Sequence, residues 1–384
     1  MRGPLLDEAV AAVAPIVADV RERGDAALLE WTERFDGPRP AGIRVGAAAI
    51  AAARVDDDVL GALRRMIDAV RVFSAAQRPS DTTIEAAPGI VAERRWVPVG
   101  SVGCCVPSGR APLPSSLVMT AVPAQVAGVR RIVVVTPRPV DATLVVAREL
   151  GLEEVYAVGG AQAVAALAYG TETISPVDRI VGPGNAYVTA AKLLVSTQVG
   201  IDLPAGPSEV VVIADGSATA AAVAADLLAQ AEHGPDSDAL LLTTDGMLAA
   251  EVGARVAGHE NVRCEVVSSL EEAVERSEAY APEHLELHVQ SAEALLDRLR
   301  NAGAVFVGCS SVIGDYAAGA THVLPTAGLA RSVGGLGLES FLKPVQVVRA
   351  SAEGARRAAE VVGPLARVEG LPLHAAAVPG PVAP

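Results

Sequence analysis

Between residues 100 and 201 one pattern recurs: a short β-branched or aliphatic run, a turn, then a helical stretch. The runs lie at 102–106, 131–136, 154–158 and 179–181, and the helical stretches at 113–126, 140–150, 161–169 and 186–195. Continuous apolar strands of this length are covered on both faces, and strands alternating with helices build βαβ units around a parallel sheet. After residue 205 the pattern resumes, with strands at 210–214, 240–243, 262–267, 285–289 and 305–307. Helices are expected up to residue 233 and over 247–257, 270–278 and 292–301. The fold class is therefore α/β: two doubly wound, incomplete Rossmann-like parallel-sheet domains, with a small C-terminal extension. Ligands of such folds gather at the carboxyl ends of the strands.

The flanks are simpler. Residues 5–35 read as two helices broken at Gly24, and 55–77 as a third. A turn at Pro88-Gly89 precedes two short strands, 90–93 and 95–99, which read as a pair. Beyond Gly337 one helix (351–361) and an extended, Pro-rich end, LPLHAAAVPGPVAP, look like an appendage that reaches onto something else.

Composition narrows the function. The net charge is -14 and no Lys/Arg cluster stands out, so nucleic acid and membrane are not expected partners. Asp7 and Glu8 stand where a signal peptide needs an apolar run, and no uncharged stretch is long enough to span a bilayer. Four cysteines in 384 residues make no disulfide framework. A soluble, cytoplasmic protein is expected.

Several polar residues are placed to carry chemistry. Gln230 and His233 fall three apart in the last turn of a helix that Gly234-Pro235 stops, so they share one face. An amide oxygen and an imidazole side by side can share a metal ion; polar residues of a last turn can equally just meet solvent. Ala281-Pro282-Glu283-His284-Leu285 offers a carboxylate and an imidazole, the usual general bases. Adjacent strand residues point to opposite faces, so both reach one site only where the strand starts irregularly, as Pro282 allows. Asp315 reads as a turn residue after 305–307, with His322 near it; Glu369 and His374 lie in the tail. Gly-rich turns precede Gln162 and Asn185, a position that leans towards ligand contact, and another carries Ser208. Spacing does not choose among His233, His284, His322 and His374, while His259 and His288 look like surface residues.

Taken together, the stretches VPSGRAPLPSSLVMTAVPAQVAGV, VGGAQAVAALAYG, VDRIVGPGNAYVTAAK, GIDLPAGPSEVVVIAD, DLLAQAEH, APEHLEL, GDYAAGATHVLPT and EGLPLHAAAV resemble the histidinol dehydrogenase family, in order and over nearly the whole chain. The resemblance implies an NAD-dependent, zinc-containing enzyme that oxidises L-histidinol to L-histidine through the aldehyde, in histidine biosynthesis. It implies Gln230, His233, Asp315 and His374 as zinc ligands and Glu283 and His284 as the catalytic pair. These ligands, His284, Ser208 and Glu369 would contact substrate; Gln162 and Asn185 would contact NAD. Cys105 stands at the position of a family Tyr that contacts NAD. A homodimer with shared active sites is implied, as is a division into three parts. Residues 1–100 with 208–336 would form a discontinuous domain carrying most of the site. Residues 101–207 would be an inserted NAD-binding domain, and 337–384 an extension completing the partner subunit's site.

The chain departs from the family pattern at Cys105, at Ser108 in the usual PGG, and at Gly234 where Asp is expected. Thr321 replaces an Asn, and 334–338 reads GGLGL. It starts later than is typical, and its 233–283 segment is shorter. These departures motivate two alternatives: a paralogue oxidising a different amino or polar alcohol, and a non-catalytic zinc-binding homologue.

Overall fold

The computed structural model describes residues 3–37, 39–108, 111–204 and 206–378, with side chains from residue 6 onward. The expected turn residues Pro38, Gly109 and Ala205, and residues 379–384 of the Pro-rich end, lie outside the described residues.

The strands, in chain order, are β1 (Thr82–Ala87), β2 (Ile90–Pro98), β3 (Ser101–Cys105), β4 (Arg131–Val135), β5 (Glu154–Tyr156), β6 (Arg179–Val181) and β7 (Gly200–Ile201). They continue as β8 (Glu209–Ala214), β9 (Asp238–Thr243), β10 (Val262–Val266), β11 (His284–His288), β12 (Ala304–Val307) and β13 (Leu342–Ala350). Two five-stranded sheets, ordered β5-β4-β3-β6-β7 and β10-β9-β8-β11-β12, are parallel throughout. In each the chain begins in the middle, steps out to one edge and crosses back to the other. The two halves thus share one doubly wound order, with switch points at β3/β6 and β8/β11.

The cores are aliphatic, as the short β-branched runs require. Val102, Val133, Val155 and Ile180 of the first sheet are fully buried. In the second sheet, Val210, Val212 and Ala214 pack with the Ala220–Ala231 helix on one side. Val211, Ile213, Leu285 and Leu287 pack on the other. Strand alternation then gives β11 one apolar and one polar face. His284, Glu286 and His288 are in register with Val210, Val212 and Ala214, and so lie on the face that the Ala220–Ala231 helix covers.

Two compact units result: 1–77 with 99–341, which holds both parallel sheets, and 78–98 with 342–384. The hairpin expected within the 1–100 part groups with the C-terminal piece instead, because β2 pairs along its whole length with β13. The two short strands expected at 90–93 and 95–99 are one strand, β2, whose hairpin partner β1 precedes the turn. β13 escaped notice because it is almost wholly exposed and shows no buried alternation. The helix expected at 292–301 is only Glu293–Leu296, and that at 351–361 runs over Ala352–Val368. The Pro-rich end is not extended throughout: Pro372–Ala377 is a helix, because Pro in a first turn loses no hydrogen bond and alanines follow. No helix among the described residues is long and apolar enough to cross a membrane.

Candidate active site

In the second sheet, polar residues converge at the amino ends of β8 and β11, not at the carboxyl ends expected of a doubly wound fold. The Leu270–Tyr280 helix ends on Ala281 in the left-handed region, with φ 56°. The chain pivots there, and Glu283 stands just ahead of the ladder that begins at His284. A first residue outside the ladder is free of strict alternation, so Glu283 and His284 turn to the same place, as the Pro282 kink suggested.

Glu283 Oε2 accepts the Ser208 hydroxyl at 2.5 Å and the Glu209 backbone N–H at 3.0 Å. Burial pushes its carboxyl up to about 8; those two donors oppose the shift, and the nearby Glu209 and Asp315 carboxylates add to it. Burial also holds His284 below the ordinary histidine range, against Asp315 and Glu286. The 3.7 Å approach of His284 Nδ1 to Glu283 Oε2 is therefore between a neutral imidazole and a carboxyl group, not an ion pair. The Phe306 ring, its centroid 5.8 Å from that of His284, closes one side.

The Ala220–Ala231 helix runs back along the sheet and ends at this same edge. Its last turn holds Gln230, which is buried, with Nε2 lacking any partner. His233 is not in that turn: it lies two residues past the helix, exposed, with Nδ1 3.2 Å from the Ala229 carbonyl. It stays close enough to act electrostatically on His284, Asp315 and His322. Asp315 is not a turn residue but part of a short helix, Val312–Tyr316, and burial raises its carboxyl above the usual range. His322 donates towards the Asp315 carbonyl at 3.3 Å and is largely shielded from solvent, which lowers its pKa to about 4 and keeps it neutral.

Ser208, His233, Glu283, His284 and Asp315 are thus brought together, with Gln230 one turn ahead of His233. Glu369 and His374 fall in the other compact unit, both exposed, Glu369 capping the end of the Ala352–Val368 helix. The first unit's ligand candidates suit a divalent cation. Gln230 is a buried amide with an unmade bond, and Asp315 is a partly buried carboxyl group whose ionised form burial disfavours. Among the described residues, one set of three His, Cys, Asp or Glu side chains has ligand atoms within 4.8 Å of one another: Asp226, Glu286 and His288. His288, expected at the surface, is instead nearly buried between those carboxylates, because it shares the covered face of β11 with His284. Asp226, Glu286 and the buried Glu209 are the polar residues that sequence reasoning missed. The i, i+2, i+4 spacing of His284, Glu286 and His288 was the available signal.

In the first sheet, polar residues do follow carboxyl ends. Gln162 is buried near the start of the Gly160–Tyr169 helix, its Nε2 3.4 Å from Asp36 Oδ2 and its Oε1 without a partner. Asn185 caps the Ala186–Val195 helix, accepting from the Tyr187 and Val188 N–H groups at 3.1 Å each. The Ala186–Val195 helix also supplies a buried ion pair, Lys192–Asp202. Lys192 donates to the Gly182 carbonyl at 3.0 Å, and Asp202 accepts the Gly182 N–H at 2.7 Å. Gly182 has φ 113°, and a Cβ there would collide with the Cys105 carbonyl. The Cys105 thiol is packed into the aliphatic core and pushed up to about 12 by burial, so it offers a ligand neither a stacking surface nor a thiolate.

Three comparisons bear on this site. A family profile described as histidinol dehydrogenase matches residues 4–380. The histidinol dehydrogenase of Methanothermobacter thermautotrophicus is 46% identical, over 96% of this chain and 92% of its own. That of Vibrio cholerae is 44% identical, over 96% and 90%. The crystal structure of histidinol dehydrogenase from Elizabethkingia anophelis superposes with a TM-score of 0.91 at 37% identity, covering 96% of this chain and 90% of that one.

Proposed function

The chain belongs to the histidinol dehydrogenase family, whose members are NAD-dependent oxidoreductases acting on a CH–OH group, and from that we propose that it oxidises L-histidinol to L-histidine in two successive hydride transfers. The observation that carries this reading is the Glu283–His284 pair, buried, neutral and 3.7 Å apart, with Ser208 bound to the carboxyl group.

His284 is the base of the first oxidation. A neutral imidazole takes the hydroxyl proton as the carbinol carbon loses its hydride. Glu283 is the base of the second stage, removing a proton from the water that adds to the aldehyde, and His284 acts again as the hydrate is oxidised. Ser208 and the Glu209 N–H steady the Glu283 carboxylate once it forms. Bound NAD would supply the hydride acceptor, and a bound zinc ion would supply a Lewis-acid anchor that orients the substrate. Gln230, His233 and Asp315, joined by His374, would hold the metal. Gln162 and Asn185 would face the dinucleotide, Asn185 without giving up its capping bonds.

The same reading takes 101–207 as the NAD-binding part and 208–336 as the part carrying most of the site, without the 78–98 hairpin that pairs with the C-terminal piece. It makes the protein a cytoplasmic homodimer in which 337–384, with Glu369 and His374, completes the partner's site. The test is to supply zinc-loaded protein with L-histidinol and NAD and count NADH per histidine formed. Two NADH per histidine are expected. A folded, zinc-loaded dimer that makes no NADH from histidinol overturns the reading.

A further inference from the structure

Glu286 and His288 continue the polar face of β11 beyond His284, and Asp226 lies one turn before Gln230 on the facing helix. His288 Nε2 is 3.2 Å from Glu286 Oε2 and 3.4 Å from Asp226 Oδ2, and Glu286 is completely buried. The other Glu286 oxygen, Oε1, accepts the Ser311 backbone N–H at 2.6 Å, and Asp226 accepts from the Ser310 side chain. Ser310 and Ser311 lead directly into the Val312–Tyr316 helix that carries Asp315. Packing holds that helix weakly: Val312, Ile313 and Tyr316 are 38%, 48% and 56% exposed, and only Gly314 is buried, against the Phe306 ring. The hydrogen bonds to Ser310 and Ser311 therefore tether its start, while His322 holds the Asp315 carbonyl at its other end.

A metal ion held by the three side chains themselves is the other use of such a cluster. Both carboxylates approach the same imidazole nitrogen, which a proton bridges, and their hydrogen bonds, Asp226 first and then Glu286, raise His288 to about 9 against the opposing effect of burial. One Glu286 oxygen is already spent on a backbone N–H. These are the marks of a closed hydrogen-bonded network, not of an open coordination site.

We infer that Asp226, Glu286 and His288 are positioning residues, a charged clamp that fixes residues 310–315 against β11 and the Ala220–Ala231 helix. The clamp brings Asp315 to Gln230 and His233 as one metal-binding set. This rests on the metal site described above, and its role is that of groups which orient ligands without touching the ion.

The test compares wild type with Glu286→Leu, Glu286→Gln and His288→Gln. It reads zinc release to a chelator, zinc content per chain and the melting temperature of the metal-free protein. Glu286→Leu removes every contact and is expected to weaken zinc binding roughly 10- to 100-fold. Glu286→Gln keeps an oxygen for the Ser311 N–H and is expected to lose much less. His288→Gln, which leaves the Ser311 bond, should fall between them and guards against misfolding of the Leu variant. Unchanged zinc affinity with a lowered melting temperature would mean a purely structural cluster and overturns the clamp. A second zinc equivalent that Asp315→Ala retains and His288→Gln loses would make the cluster itself the metal site, and also overturns it. Wild-type protein that takes up no zinc overturns the underlying metal reading, and the clamp with it.

Discussion

Ser208 Oγ and Glu283 Oε2 lie 2.5 Å apart, joining the loop before β8 to the residue before β11 across neighbouring strand starts. The bond opposes a burial that pushes the Glu283 carboxyl up to about 8. A donor to the carboxylate favours the ionised form, so its removal must raise the pKa further. Activity is therefore expected to climb with pH through about 8. In Ser208→Ala the rising limb should move to higher pH, with kcat at neutral pH down about 10-fold. A pH–rate profile of both proteins checks this, and an unmoved limb would detach Ser208 from Glu283.

Glu283→Gln should trade activity for stability. Its folded-state pKa lies above the ordinary carboxyl value, so the unfolded chain ionises first. The penalty begins as pH rises past about 4.3 and is complete above about 8, reaching at most ~5 kcal/mol. An uncharged Gln escapes it while keeping an oxygen for Ser208 and the Glu209 N–H. Metal-free Glu283→Gln is expected to melt above wild type at pH 8 and level with it near pH 4. Its kcat should fall roughly 10²- to 10⁴-fold. Calorimetry at the two pH values, alongside an NADH assay, decides it.

His288 has the opposite sign. Its pKa is raised to about 9 by Asp226 and then Glu286, so the imidazolium contributes fully below pH about 6.5 and is lost as pH rises through 9. The contribution is at most about 3 kcal/mol. Denaturant unfolding of wild type should weaken between pH 7 and 10, and His288→Asn should flatten that decline. An equally steep decline in the variant would assign the alkaline loss to another group.

Lys192 and Asp202 form a fully buried ion pair that holds both backbone polar groups of Gly182. Removing one partner strands the other charge in the core, a loss of about 3–5 kcal/mol. Lys192→Met is expected to lower stability by that amount and to raise KM for NAD, because the 182–185 turn loses its anchor. KM for the alcohol should hardly change. Urea unfolding and separate titrations of the two substrates test both parts.

Gly314 faces the Phe306 ring, where a Cβ would sit 2.6 Å from Cε1. Gly314→Ala should push the Asp315 helix off β12 and lower zinc affinity about 10-fold, on the scale of lost ligand support. Chelator competition on the purified variant is the check. Unchanged affinity would show that the helix moves without carrying Asp315 with it.

Much of the fold was legible because parallel strands buried on both faces are nearly uninterrupted aliphatic runs. 131–136 and 210–214 could hardly be anything else. β13 was not, since an exposed strand takes whatever residues its partner β2 tolerates. The helix expected over 292–301 stops at Leu296 for a related reason: apolar spacing signals amphipathicity but not where tertiary contacts stop supporting it.

The sequence by itself determined the α/β class, the place of most strands and helices, the family, and the residue types a dehydrogenase site needs. Only the tertiary structure decided that Glu283 and His284 meet, through a left-handed Ala281 and a neighbouring strand start. It also decided that His288 is nearly buried, that Asp315 rides a tethered helix, and that the second-sheet cluster gathers at the amino edge. Periodicity is a local property, set by 3.6 or 2 residues per repeat, and survives in the chain. The distance between residues 208 and 283, or 286 and 311, depends on how sheets stack and helices return, which no short stretch of sequence records.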